Sequence, residues 1–163
     1  MENHRTLRWS VYGAAVGLAS GLMACAVFFL LEWTTFFAME DLAGYSVAKP
    51  AGEHLVKISS NTPFRPWLLC ILPALGGLLA GIIVYRWAPE AEGHGTDAFI
   101  DAFHNRQGII RTRVPFIKGI ASVITLSTGG SAGREGPIAQ IGAGIGSWIG
   151  RSFGIGVRER RNP

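Results

Sequence analysis

A chain of 163 residues is long enough for one soluble domain, but 48% of its residues are hydrophobic and only 16% are charged, against about 25% in an average soluble chain. With a mean hydropathy of +0.29, it reads as an integral membrane protein. The net charge of +4 comes from basic residues that flank apolar segments rather than from a basic stripe, which argues for orientation in a bilayer and against nucleic-acid binding.

Residues 1–8 are polar, include Arg5 and Arg8, and read as a cytoplasmic start. Trp9 to Leu31 then carries no charge and exceeds both the roughly 7–15 apolar residues of a signal peptide and the roughly 20 needed to cross a bilayer. A first span over 9–37 is predicted. Gly13, Gly17 and Gly21 fall on one of its faces, where a neighbouring helix backbone would approach closely. Glu32 sits near its end, and Trp33, Phe36 and Phe37 suit an interfacial belt. Residues 39–65 read as an outside loop in which Glu40, Asp41 and Glu53 balance Lys49, Lys57 and Arg65.

A second span is predicted over 66–86, bent at Pro73, with Gly77 and Gly81 at the same small-residue spacing and Arg86 at its cytoplasmic end. Cys25 and Cys70 fall inside the two spans as small core residues. No CxxC or Cys/His spacing points to a metal or a disulfide framework. Gly93-His94-Gly95 is a flexible turn, after which Thr96 or Asp97 caps a short helix over 96–105. Phe99 and Phe103 share one face of that helix, and Gly108 fits its stop.

Residues 114–129 and 137–151 form the informative pair. Their uncharged stretches, 119–133 and 136–150, each give about 22 Å of helix, short of a hydrocarbon core of about 30 Å. They fit two helices meeting inside the membrane at an irregular turn, a re-entrant pair with Pro115 in the first turn of one and Pro137 at the first position of the next. Gly142, Gly146 and Gly150 make another close-packing stripe, and 152–163 is a basic, cytoplasmic tail. The expected fold is all-α and membrane-integral: two transmembrane helices, a short helix and the re-entrant pair, in one domain.

The turn of the pair, Ser127 to Pro137, reads STGGSAGREGP. Irregular backbone at membrane depth is tolerated where it is buried in protein or lines a wet cavity, as in the broken helices of transporters. Backbone N–H groups of the glycine turn, with the positive end of the following helix, make an anion site without a full positive charge. A carboxylate there competes with the anion for the same donors, so Glu135 reads as a gate, and its protonation would couple anions to protons. The competing reading is a surface Glu on a loop outside the membrane. Arg134 either offsets Glu135 or draws anions into a vestibule.

Gly129 to Gly133 also matches the G-x-S-x-G elbow of hydrolases, with Ser131 as nucleophile and Val123 to Leu126 as its strand. That fold needs a later histidine, whereas His4, His54, His94 and His104 all lie upstream, so an enzyme is not expected. A Walker A sequence and the strand context of a dinucleotide loop are both missing.

GREGP at 133–137, followed by IAQIGAGIGSWIGR at 138–151, closely resembles the signature of the CLC chloride channels and chloride–proton antiporters. The resemblance extends over roughly residues 9–160. It implies that Glu135 is the gating glutamate, that the helix entered at Pro137 points at the anion, and that backbone around Gly133, Arg134, Gly136 and Ile138 contacts it. The turn Gly93, His94, Gly95 takes the place of the family's G-S-G-I-P motif. His94 stands for an anion-contacting Ser, as either a direct contact or a turn residue, and Asp97 replaces a Pro.

The implied partners are chloride or another small anion, the lipid bilayer of the plasma membrane and protons, with no cofactor and no metal. The family's second half, with its G-x-F-x-P motif, late Tyr and proton-relay Glu, is expected beyond Pro163. The chain therefore reads as an N-terminal portion that needs a missing C-terminal half, in a protein that is a homodimer when complete. A rival reading is a non-transporting assembly subunit held by its glycine stripes.

Overall fold

The computed structural model describes residues 2–46 and 62–154, with side chains from Leu7 onward. Most of the expected outside loop and of the basic tail lies outside the described residues. The described chain is all-helical: α1 (Glu2–Thr35), continuing through a π-helical stretch (Phe36–Leu42), α2 (Pro66–Trp87), a 3-10 turn (Pro89–Ala91), α3 (Thr96–Asn105), α4 (Arg113–Ser127) and α5 (Glu135–Ser152).

Two segments, Leu7–Leu42 and Pro66–Trp87, are long and apolar enough to cross a membrane. Only 6% and 17% of their most apolar stretches are buried within the chain, so neither is the core helix of a soluble fold. Helix continues past residue 37 to Leu42 because Ala38 and Met39 are buried, with the Met39 side chain packed beside Gly129.

Two expected helix starts are corrected. The N-cap of α3 is Gly95, at φ +95°, with no side-chain cap from Thr96 or Asp97. Helix α5 begins at Glu135 with Arg134 as N-cap, so Pro137 is its third residue rather than its first. A proline is tolerated there because first-turn N–H groups have no acceptor within the helix. The cysteines are corrected as well: Cys25 and Cys70 are exposed on their helices rather than in the core.

Helix α4 is the hub, packing against α1, α2 and α5. Its pairing with α5 runs antiparallel, Pro115 meeting Gly144 and Gly119 meeting Ile141. A Cβ on Gly144 would sit 2.9 Å from Pro115 Cδ, so this crossing depends on the missing side chain. Gly142 and Gly146 face Ser20 and Val16 of α1. By contrast, a Cβ on Gly13, Gly17, Gly21, Gly77 or Gly81 would meet nothing within 4 Å. The expected close-packing faces of α1 and α2 thus have no neighbour among the described residues.

A small-residue core of Ala80, Val84, Ala88, Ala91, Ala102, Ile110, Val114 and Ala121 joins α2, α3 and α4. It is closed at one end by polar contacts. Ile110 N–H donates to Ser147 Oγ (2.9 Å), and that hydroxyl donates to the Gly108 carbonyl (2.9 Å). Arg111 Nη1 donates to Glu90 Oε1 at 2.7 Å. This hydrogen bond, with the charges of Arg111 and Arg113, holds the Glu90 carboxyl below its ordinary 4.5.

Gly144→Ala is expected to lower stability by about 1–3 kcal/mol through overpacking, whereas Gly17→Ala, facing open space, gains helix propensity; thermal melts of the two variants in detergent check the contrast. The depressed Glu90 value means that its stabilisation is full above pH 4.5 and disappears as pH falls through the lower native value. Arg111→Gln should flatten that part of an acid-unfolding curve.

Candidate functional site

The glycine turns at 93–95 and 133–136, far apart in sequence, meet backbone to backbone. A Cβ on Gly136 would collide with the His94 carbonyl oxygen, and one on Gly95 would lie 2.7 Å from the Gly136 carbonyl and 3.0 Å from Gln140 Oε1. Gly93 and Gly95 hold φ of +76° and +95°, which an L side chain resists. These glycines let the starts of α3 and α5 approach each other.

Both helix starts face one cleft of about 830 Å³. Gly93, His94 and Thr96 line it from the first turn, and Gly133, Glu135, Gly136 and Pro137 from the second. The N–H of Ile138 donates to the Arg134 carbonyl at 3.3 Å, the first bond of α5. The N–H groups of Glu135 and Gly136 precede that bond and have no acceptor within the helix, so the positive end of α5 lies at the cleft wall. Glu135 is exposed.

Not every predicted residue joins this wall. Gly95 is buried beneath it. Arg134 and Ile138 turn toward α1, lining a small apolar gap with Val27, Phe28 and Leu31, and the Arg134 guanidinium lies 5.6 Å from the centre of the Phe28 ring. Asp97 lines a separate pocket with Glu90, Asp101 and Gln140. Ser131 lies in the exposed turn after α4, and Val123 to Leu126 are helical rather than a strand, so no nucleophile elbow forms.

Sequence reasoning missed Lys118, which it used only as the charged edge of an apolar run. This lysine is 5% exposed and lines the cleft. Its Nζ donates to the carbonyls of Ala91 (2.9 Å) and Gly93 (2.5 Å), tying α4 to the 93–95 turn. Ser122 and Thr125 line the cleft from the same helix. The spacing 118, 122, 125 puts the three on one helical face, a signal that was present in the sequence.

Gln140 was also missed. It is 1% exposed, and its Nε2 donates to the Glu90 carbonyl at 3.0 Å, so the α5 start is bound to the segment before α3. Within the described residues, no group of His, Cys, Asp and Glu side chains is arranged to hold a metal ion. The cleft can offer an anion backbone dipoles and a buried ammonium, beside two carboxylates, Glu135 at the α5 start and Glu92 just before the 93–95 turn.

The family model for the voltage gated chloride channel matches residues 76–162, a stretch that contains both turns, Lys118 and Glu135. The chain is 31% identical over 104 residues to a putative chloride channel protein ClcB-like from Ralstonia nicotianae, covering 62% of this chain and 23% of the relative. It is 30% identical over 134 residues to the H(+)/Cl(-) exchange transporter ClcA of Cronobacter sakazakii, 82% of this chain and 26% of that protein. With the ClcA of Yersinia pestis the identity is 29% over 156 residues, 93% of this chain and 29% of the relative. The chain therefore spans about a quarter of the length of the curated relatives it matches. No solved structure matches it. On the matched residues and the two packed turns they contain, this chain belongs to the voltage-gated chloride channel family, whose members are membrane transport proteins and not enzymes.

Proposed function

We propose that this chain supplies one wall of an anion pathway, most simply for chloride, with Glu135 as its gate. The observation that carries the reading is the meeting of the 93–95 and 133–136 turns at one cleft, beside the buried ammonium of Lys118. An anion held there would draw on the N–H groups at the α5 start and on the 93–95 backbone, with His94 at the wall. Glu135 stands in the same field and competes with the anion until it is protonated or swings away. In this reading α4 and α5 are a re-entrant pair.

The contacts Tyr12–Phe153 (ring centroids 5.2 Å) and Arg151–Thr112 (3.0 Å) place the start of α1, the end of α5 and the start of α4 at one end of the molecule. Arg8, Arg111, Arg113 and Arg151 share that end, which supports a cytoplasmic N-terminus in the cell membrane.

The cleft is open along α2, where Gly77 and Gly81 meet no neighbour among the described residues. Conduction then requires further protein to close the path: a second half, within a complete homodimer. The same bare faces, with Gly13, Gly17 and Gly21, favour a second reading in which the chain acts only as an assembly subunit. Liposome flux separates the two. The chain alone is expected to give no anion-selective efflux. An assembly that contains it is expected to carry chloride with a pH dependence that Glu135→Gln abolishes. A pH profile unchanged by that substitution would sink the gate assignment, and assemblies without flux would favour the subunit reading.

Lys118 is the positioning residue in this scheme. Lys118→Met removes two charge-assisted bonds to the 91–93 backbone, and losing even one predicts about tenfold faster hydrogen exchange there. Amides in the middle of α1 should not change, and a uniform increase along the chain would mean general unfolding instead.

A further inference from the structure

A second hollow, on the other side of α4 from the cleft, is unrelated to the transport reading and does not depend on it. It is an apolar groove of about 320 Å³ between α1, α4 and α5. Ala19, Leu22, Met23 and Ala26 form one side, Pro115, Phe116, Gly144 and Ile145 the floor and far side, and Trp148 the rim. Phe116 and Trp148 are 48% and 47% exposed, so the rim is accessible from outside the helix bundle. The groove exists because the small residues Ala19 and Ala26 leave space beside two large aromatic rings.

Its charge is confined to one end. Thr112 lines the groove and its Oγ1 accepts from Arg151 Nη2 at 3.0 Å. Arg113 is the next residue, at the first position of α4. Arg111 is paired with Glu90 and the charge of Arg113 acts on the same carboxylate, whereas among the described residues Arg151 forms no ion pair with a carboxylate. Arg151, a cation without a carboxylate partner among the described residues, thus stands where an apolar groove reaches the basic end of a membrane protein, with Arg113 one residue beyond the Thr112 that it contacts. A partner that satisfies both features carries a negative head and a hydrocarbon tail.

We propose that this groove binds an anionic phospholipid, with the acyl chain along α1 between Phe116 and Trp148 and the phosphate against Arg113, Arg151 and the Thr112 hydroxyl. The charge selects an anionic over a zwitterionic lipid, because a cation at the membrane surface attracts anionic headgroups and the attraction is local. The apolar lining of the groove selects a tail-bearing ligand over a free phosphate.

Trp148 reports on its own site. The purified chain is reconstituted in phosphatidylcholine vesicles containing increasing fractions of dibrominated phosphatidylglycerol or, separately, dibrominated phosphatidylcholine. The Trp148 signal is the difference between the wild type and Trp148→Phe. The expected result is stronger quenching by the brominated phosphatidylglycerol. Arg113→Gln and Arg151→Gln should each weaken that preference about fivefold, while Arg113→Lys and Arg151→Lys retain it. Emission from the other tryptophans checks that the variants stay folded. Equal quenching by the two lipids, or a preference that survives the double Gln variant, would mean ordinary surrounding lipid and overturn the proposal. No quenching of Trp148 by either lipid would mean that protein fills the groove, which overturns it as well.

Discussion

The site rests on one backbone contact, the His94 carbonyl against the Cα of Gly136. No side chain intervenes, so the starts of α3 and α5 come together more closely than a residue with a Cβ at position 136 would allow. Glycine has a cost in a helix, about 1 kcal/mol relative to alanine. At Gly136 the cost is offset by a geometry that no other residue permits. Everything on the cleft wall, from Glu135 to the 93–95 turn, takes its position from that contact. It is reinforced from below, where Gln140 reaches the Glu90 carbonyl.

Lys118 locks the other side of the same turn. A buried ammonium without partners would be expensive, and here two carbonyls from the 91–93 segment accept from it. The arrangement also orients the turn. With the Ala91 and Gly93 carbonyl oxygens drawn to the lysine, negative backbone ends are directed to Nζ instead of being left to face the cleft. The residue thus shapes the field in two ways, through its own charge and through the carbonyls it engages.

Much of this was legible before any coordinates. The two apolar helices could be read from charge-free runs, and the Phe99–Phe103 pair does meet on one face, with tilted rings whose centroids are 6.4 Å apart. GREGP marked the start of α5. What stayed hidden depended on contacts between distant segments. Residue types at 93–95 and 133–136 indicate flexible turns, but nothing local says that the turns touch. Lys118 looked like a boundary charge because its partners are main-chain carbonyls, which leave no mark in a sequence. Glycine spacing was ambiguous in the same way: Gly142 and Gly146 pack against α1, whereas Gly13, Gly17 and Gly21 carry the same four-residue rhythm and meet no neighbour among the described residues. Spacing shows that a helix can be approached, and only the rest of the fold decides whether it is.

The placement of Glu135 at the first position of α5 gives the proposed gate a physical logic. A carboxylate in the first turn is favoured by its own helix's dipole, and an anion at the cleft wall would be favoured by the same dipole and the same N–H groups. The two states, side chain in place or anion in place, therefore draw on nearly one source of stabilisation, and their difference is small compared with either interaction. Small differences are what make a switch. A ligand shifts a two-state equilibrium only through its unequal affinity for the two states, so under the proposed gate a modest change in anion concentration, or a single proton on the carboxylate, would exchange the occupants. A gate placed on a separate element, outside this field, would hold its own position without competing, and the coupling between anion and proton would be lost.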